Sequence, residues 1–183
     1  MMVPADLIER EKGIRSKELP LSLRIALKKN SEIIDFTFQV DNRLVDSHRV
    51  CVLFDTGIQS KFSTADQQFG TIQRPVVFEK EMALWNAHKE KWNEMPIAIE
   101  TCQSFVSLFN EEHGLAVIPK GVREYEIIGE DFDTIRLTLF RTYGFMGKED
   151  LLYRPGRASG ETVIETPDAQ CHKVMTFEFS DRK

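Results

Sequence analysis

The chain has 183 residues, which is enough for one domain with a full hydrophobic core or for two small domains. Its 42% hydrophobic and 29% charged residues are typical of a folded globular protein and exclude disorder along the whole length. The net charge of −5 argues against a general nucleic-acid binder, because such proteins usually carry a basic surplus.

Residues 1–18 are charged and weakly patterned, and we expect them to form a lead-in segment before the main domain. Asp6 is a residue type that caps helices and predicts a helical turn through Arg10. The opening letters MMVPADLIEREKG contain no apolar run of the kind found in secretory leaders. No run of about 18 apolar residues occurs, so we expect no membrane span.

A period-two pattern begins at Leu19. The segments LSLRIAL (residues 21–27) and IIDFTFQV (33–40) alternate apolar and polar residues, which predicts two antiparallel neighbours with one buried face. HRVCVLFD (48–55) carries apolar residues at both odd-numbered and even-numbered positions, which predicts a strand that is covered on both faces.

The segment FSTADQQFGTIQRPVVF (residues 62–78) predicts a further extended region, broken at Gly70 and ended by Pro75. Residues 79–93 contain the single convincing helical candidate, and a loop insertion with helical turns is the alternative reading of this stretch. The apolar side of the candidate helix carries Met82, Trp85 and Trp92.

Five strand-like segments follow, the first four of them at the roughly 8–12-residue spacing of a β-sandwich. They read QSFVSLFN, GLAVIPKG, REYEIIGED, TIRLTLFRTY and KVMTFEFS. About nine strands and at most one short helical insertion predict an all-β fold, an antiparallel β-sandwich over residues 19–183. Four apolar residues on its strands should point into the sandwich, namely Phe36, Phe38, Leu139 and Phe177.

The cysteines and histidines do not form recognisable sites. Cys51, Cys102 and Cys171 are odd in number and lie far apart, which excludes a zinc ribbon and predicts small buried residues in a reducing, cytoplasmic compartment. The histidines never occur in HxH, HxD or HExxH spacing, and no GxSxG elbow or glycine-rich phosphate loop is present. We therefore predict no catalytic residue and no metal ligand in this chain.

Three polar clusters remain, each with two readings. Residues 41–49 are either a solvated turn with an Asp–Arg pair or a ligand site. Residues 65–75 hold amide, carboxylate and guanidinium groups beside an aromatic ring, a set that suits sugar hydroxyls and equally a polar edge strand. Residues 141–170 form a polar, arginine-bearing loop that either pairs its charges internally or meets something outside the chain.

Five motifs in order resemble the C-terminal part of family 38 glycoside hydrolases, the α-mannosidases, whose bacterial branch includes mannosylglycerate hydrolase. The motifs are VDNRLVDSHRVCVLFDTG, FSTADQQFGTIQRP, EEHGLAVIPKGVREYEI, LTLFRTYGFMGKEDLLYRPGRASG and ETPDAQ with a final TFEFS. The resemblance covers residues 19–180, and residues 139–160 with 166–170 are its most specific part.

This resemblance implies a non-catalytic β domain that supports and rims the catalytic α/β barrel of a zinc-dependent retaining α-mannosidase. The zinc and the nucleophile belong to the barrel, whose motifs are missing here, and the barrel is the expected partner through which the domain meets a mannoside. In such enzymes an arginine of the β domain can approach the pocket. We assign that role to Arg74, with Asp66 and Gln68 beside it on the rim.

The arginine-bearing loop is expected to dock on the barrel, because interdomain interfaces are polar and rich in arginine. Its predicted docking residues are Arg141, Tyr143, Arg154 and Arg157. Two alternatives stay open, a free-standing carbohydrate-binding sandwich and a pure interaction domain. Paired exposed aromatic residues on one sheet face would favour the carbohydrate-binding sandwich.

Overall fold

The computed structural model describes residues 1–91, 94–149 and 161–182, and it confirms the antiparallel all-β sandwich. The two helices are α1 (Leu7–Glu11) and α2 (Glu79–His88), and a 3₁₀ turn spans Pro167–Gln170. Neither helix has the length and apolar composition needed to cross a membrane. The strands are β1 (Met2–Val3), β2 (Lys17–Glu18), β3 (Leu21–Leu27), β4 (Ile33–Asp41), β5 (Arg49–Asp55), β6 (Phe62–Gln67), β7 (Gly70–Pro75), β8 (Ile99–Thr101), β9 (Val106–Phe109), β10 (Gly114–Lys120), β11 (Glu124–Ile128), β12 (Thr134–Arg141) and β13 (Val174–Arg182).

Two sheets of unequal width form the sandwich. The wide sheet has seven strands in the order β3-β4-β13-β10-β9-β6-β7, and the narrow sheet has four in the order β5-β12-β11-β8. Strands β1 and β2 form a separate two-stranded ladder. The wide sheet therefore has β3 and β7 as its edges, and the four strands of the narrow sheet cannot cover all of its inner face.

The core lies between the sheets and is built by the alternating apolar residues of both. Phe36 and Phe179 of the wide sheet stack at a centroid distance of 5.3 Å, and Phe54 of the narrow sheet meets Phe179 edge to face at 5.5 Å. Leu139 is 6% exposed. Phe36, Phe38 and Phe177 pack against the same core, which confirms the predicted inward direction of all four residues.

A smaller apolar cluster lies beneath the lead-in segment. Leu19, Val40 and Val45 are fully buried there, and Val3 of β1 packs against them. The carbonyl of Met1 accepts a 2.8 Å hydrogen bond from the Leu19 amide. The predicted turn is confirmed as α1, because Asp6 caps it by accepting the Glu9 amide at 2.8 Å. The division of the chain at residue 19 stays a prediction.

Two strands are less buried than their sequence patterns predict. The apolar residues of β3 are 40–67% exposed, because the narrow sheet ends at β5 and no described residue covers β3. Strand β5 is covered on one face only, because Phe54 on its inner face is buried whereas its outer face is open to solvent. Leu53 on that outer face is 57% exposed.

The remaining differences concern short or terminal pieces. Strands β1, β2 and β8 have two or three residues each and were not predicted. The extended region at residues 62–75 folds as two strands, β6 and β7, rather than one. Helix α2 is confirmed but ends at His88, with Met82 and Trp85 half-buried, and Trp92 lies outside the described residues.

Candidate functional site

The β6–β7 hairpin carries all three residues predicted for a sugar-pocket rim. Asp66 lies near the end of β6, Gln68 lies in the turn and Arg74 lies on β7. The turn is tight, because Gln67 pairs with Gly70 and only two residues lie between them. Since β7 is a sheet edge, the predicted polar edge strand is confirmed in position, whereas the sugar role of these residues stays a prediction.

Asp66 is held by the backbone that leads into β9. Its Oδ1 accepts hydrogen bonds from the amides of Gln103 and Ser104, each at 2.8 Å, and of Phe105 at 3.1 Å. Its Oδ2 accepts the Ser104 hydroxyl at 2.6 Å. Burial opposes ionisation, but the hydrogen bonds from Ser104, Phe105 and Gln103 outweigh it and lower the pKa of Asp66 to about 2. This carboxylate therefore anchors the hairpin to the next strand.

Arg74 points inward from the edge strand and is bound on three sides. Its side chain is only 14% exposed, and its Nε lies 3.0 Å from a carboxylate oxygen of Glu100. Its Nη1 donates to the Thr101 carbonyl and to the Tyr125 hydroxyl, each at 3.1 Å. To contact a substrate directly, this guanidinium would have to give up some of these hydrogen bonds. Its geometry suits a residue that fixes the hairpin against β8 and β11.

No sugar-sized cavity adjoins Arg74 within the described residues. The small cleft beside its guanidinium, between Ser63, Glu100 and Tyr125, has a volume of about 10 Å³. That volume suits a single water molecule, whereas small-molecule sites usually measure about 300–1,000 Å³. A sugar pocket at this hairpin therefore needs walls from another part of the enzyme.

The tip of the hairpin projects two side chains away from the domain. Gln68 is exposed and forms no hydrogen bond among the described residues. Phe69 is completely exposed, at 108%, and its φ of +74° lies in the left-handed region that bulky residues rarely adopt. The sequence predicted Phe69 only as the aromatic ring of the 65–75 cluster and assigned it no place on the rim, although its position directly before Gly70 was a signal for an exposed turn.

The predicted docking loop is only partly described. Arg141 pairs within the chain, since its Nη2 lies 2.5 Å from Glu124 Oε1, and Tyr143 is 53% exposed. Arg154 and Arg157 lie outside the described residues. Beside Tyr143 runs an open concave surface of about 750 Å³, bounded by Leu7 of α1. The apolar side chains that line this concave surface are also exposed. Such exposure is typical of a surface that meets another domain.

A glutamine that was not singled out from the sequence holds this loop in place. Gln170 is 7% exposed, and its Oε1 accepts the Ser47 amide at 2.8 Å. The Asn42 side chain donates to the Gln170 carbonyl at 2.9 Å. A Cβ on Gly144 would lie 3.0 Å from Gln170 Nε2, so a larger residue there would have to displace this amide by a few tenths of an ångström. The Thr-Pro-Asp-Ala-Gln motif therefore fastens the loop to the turn before β5.

A charge network covers the outer face of the narrow sheet. Arg49 of β5 lies 3.2 Å from Glu124 and 3.4 Å from Glu126, both on β11. Arg136 of β12 also binds Glu126. Burial opposes ionisation of Glu124, but the hydrogen bond from Arg141 and the nearby arginine charges outweigh it and lower its pKa. The three guanidinium groups share the two carboxylates, so Arg141 already has an ion-pair partner within the chain.

The first polar cluster is a turn with an ion pair, because Arg43 Nη2 lies 2.5 Å from Asp41 Oδ2 on the surface. Within residues 1–91, 94–149 and 161–182, no three His, Cys, Asp or Glu side chains lie close enough to hold a metal ion. The three cysteines are free, and only Cys102 is fully buried. The described groups thus anchor and orient loops, and we assign no catalytic step to them.

A sequence profile described as Glycosyl hydrolases family 38 C-terminal domain matches residues 9–147, well over half of the chain. The chain belongs to this family. A relative from Halalkalibacterium halodurans, provisionally named mannosylglycerate hydrolase, is 31% identical over 174 residues. That alignment covers 93% of this chain but only 16% of the relative.

Solved structures share the fold of this family 38 domain. An α-mannosidase from Enterococcus faecalis V583 matches with a TM-score of 0.74 at 24% identity. A second Enterococcus faecalis protein, described as a member of Glycosyl Hydrolase Family 38, matches with a TM-score of 0.72 at 23% identity. Each match covers 100% of this chain and 20% of the solved chain. The chain therefore corresponds to a small part of these larger family 38 proteins.

Proposed function

We propose that this chain is the non-catalytic C-terminal β domain of a zinc-dependent, retaining α-mannosidase. The observation that supports it most is the match of the whole chain to only one fifth of an α-mannosidase. The partner is then the catalytic barrel of the same enzyme, which supplies the zinc, the two carboxylates that retention requires and the contacts to a mannoside or mannosylglycerate. Three free cysteines fit a reducing cytoplasm.

In this proposal the β6–β7 hairpin borders the mannoside pocket. Gln68 and Phe69 approach it, because their side chains are free, and an amide beside an aromatic ring can bind a sugar. Asp66 and Arg74 act by holding the hairpin rigid, since their own contacts occupy them. The exposed surface around Tyr143 faces the barrel, together with Arg141, Arg154 and Arg157.

The 183-residue chain alone is expected to hydrolyse no α-mannoside, with or without zinc. The test is an assay with an aryl α-mannoside at several zinc concentrations, on protein whose fold is checked by circular dichroism. The matched control is an intact family 38 α-mannosidase in the same buffers. Zinc-dependent turnover that follows the 183-residue species through successive purification steps would contradict the proposal.

One observation favours a second candidate, the free-standing carbohydrate-binding sandwich. Ser63 and Leu108 are paired across β6 and β9 and are buried, so the adjoining Phe62 and Phe109 lie together on the outer face of the wide sheet. These phenylalanines are 42% and 45% exposed. Aromatic pairs on an open sheet face suit the apolar faces of sugars.

Calorimetric titration of the isolated chain with methyl α-mannoside and with mannose oligosaccharides separates the two candidates. The mannosidase-domain proposal expects no saturable heat. Saturable binding that is lost in a Phe62→Ala, Phe109→Ala double variant, and kept in Phe69→Ala, would favour the free-standing binding module.

A further inference from the structure

Strand β3 carries an apolar surface that nothing in the described chain covers. We call Leu21, Leu23, Ile25 and Leu27 the β3 stripe. Their partners on β4 are Val40, Phe38, Phe36 and Ile34 respectively. Residues directly opposite in a ladder share a face, so the stripe lies on the inner face of the wide sheet, in line with core residues.

Burial changes abruptly along this inner face. Leu19, two residues before the stripe, is 1% exposed beneath the lead-in. The stripe itself is 40%, 52%, 59% and 67% exposed, rising steadily from Leu21 to Leu27. A contiguous row of four half-exposed aliphatic side chains is unlike the scattered surface leucines of monomers, and such patches mark interaction sites.

The same strand is also an unprotected sheet edge. No described strand pairs with its second side, so its outward amides and carbonyls are unused by any ladder. Natural edge strands are usually protected by proline, bulges or inward-pointing charges. Residues 21–27 contain no proline, and their only charge, on Arg24, lies on the opposite face from the stripe.

The opposite face of β3 is the one suited to water. Arg24 and Ala26 border a polar surface on which Lys28 lies 3.1 Å from Asp35. Ser180 donates to the same Asp35 at 2.7 Å. The strand thus has the apolar-in, polar-out pattern of a strand that is buried on its inner side. Residues 1–91, 94–149 and 161–182 do not supply that burial.

We propose that the β3 stripe is the docking surface for an extended apolar segment from the catalytic part of the same family 38 enzyme. This rests on the proposed function and identifies the surface that carries the attachment. Four fifths of the solved α-mannosidase lies outside the part that this chain matches, so the partner polypeptide is long enough to supply such a segment.

Charge argues against a second copy of the chain as the occupant. Antiparallel pairing of two copies of β3 about their common centre would set Arg24 directly opposite Arg24. Like charges in that position destabilise a ladder. A different strand with an acidic residue opposite Arg24 avoids the conflict, and it would also satisfy the free backbone groups of the edge.

The test is a Leu23→Glu, Ile25→Glu double variant with Leu53→Glu as its matched control. Leu53 is a strand leucine of similar exposure, 57% against 52% for Leu23, but it stands outside the stripe. In the intact enzyme the double variant should lower the Tm by about 4 °C or more and speed proteolysis between the domains, because it buries two unpaired charges. The control should match wild type. In the 183-residue chain alone, both variants should stay within about 2 °C of wild type.

Three outcomes overturn the proposal. One is an intact double variant with the wild-type Tm, and another is an equal loss in the Leu53→Glu control. The third is a concentration-dependent dimer of the isolated chain, seen by sedimentation velocity, that the double variant makes monomeric, because the occupant is then a second copy. Deleting the whole domain from the intact enzyme tests the proposed function separately. Unchanged activity and Tm after that deletion would contradict the proposed supporting role of the domain.

Discussion

Phe69 combines full solvent exposure with a left-handed backbone, and each feature is unfavourable for the isolated chain. An L residue with a bulky side chain costs about 1–2 kcal/mol in this region, whereas glycine adopts it freely. A fully exposed ring makes no packing contact that could stabilise the fold. The position is therefore better explained by contacts outside the chain than by folding.

Phe69→Gly should raise the free energy of unfolding of the isolated chain by about 0.5–1 kcal/mol, because it removes the strain and loses no packing. Urea denaturation followed by circular dichroism measures the change. Gln68→Gly is the control, since its φ is not positive and the added flexibility should lower stability. A loss of stability in Phe69→Gly as large as in the control would show that the ring is packed.

Asp66→Asn should lower the free energy of unfolding by about 1 kcal/mol at pH 7, because it removes the charge that several hydrogen bonds stabilise. The folded pKa of about 2 lies below the ordinary value of 3.8. The carboxylate therefore stabilises the fold fully above pH about 4, and this contribution is lost as the pH falls towards 2.

Urea titrations of wild type and Asp66→Asn between pH 7 and pH 2 measure this difference. The two curves should converge at the acid end. Asp55→Asn is the control, because Asp55 is exposed and its side chain forms no hydrogen bond among the described residues. A wild-type advantage that stays constant down to pH 2 would contradict the assigned role of the charge.

At the scale of elements, strand positions follow from the sequence because period-two alternation is local. The inward direction of Phe140 does not follow in the same way. A register shift in the pairing of β12 with β5 between Thr138 and Phe140 reverses the parity, so Leu139 and Phe140 both pack inward. Periodicity alone does not contain that shift, because it depends on how β12 meets its neighbour.

The sequence also identified the polar cluster at residues 65–75, but neither its folding into a hairpin nor the contacts of its arginine. Arg74 pairs with the buried Ser63 across the ladder, so it faces the core and meets Tyr125. Knowing this required the register of the hairpin and the position of the second sheet, neither of which a single sequence shows. The same limit explains why Gln170 was not singled out.

Leu139→Ala should lower the free energy of unfolding by about 2–5 kcal/mol, the usual cost of removing a buried leucine side chain. Leu53→Ala, on the exposed outer face of β5, should cost less than about 1 kcal/mol. Urea denaturation of both variants gives the comparison. Similar losses at the two sites would mean that the inner and outer faces of the narrow sheet are wrongly assigned.

At the scale of the whole molecule, the two sheets differ by three strands in width. The wide sheet extends past its partner at the β3 edge, which leaves the β3 stripe open, whereas Arg74 ties the β7 edge to β8 and β11. Strand counts per sheet cannot be read from alternation, so the sequence predicted a sandwich but not this overhang. The overhang is the surface on which we propose that the domain meets the rest of its enzyme.

The central place of β13 in the wide sheet also decides the order in which the domain can be assembled. Val174 pairs with Asp41, which precedes it by 133 residues. At about 5–20 residues per second, a ribosome needs about 7–27 s to reach the strand that joins β4 to β10. Until then the nascent β3–β4 hairpin has two free edges and an apolar face. Synthesis, rather than the finished fold, is therefore the stage at which this domain most needs protection from misassociation.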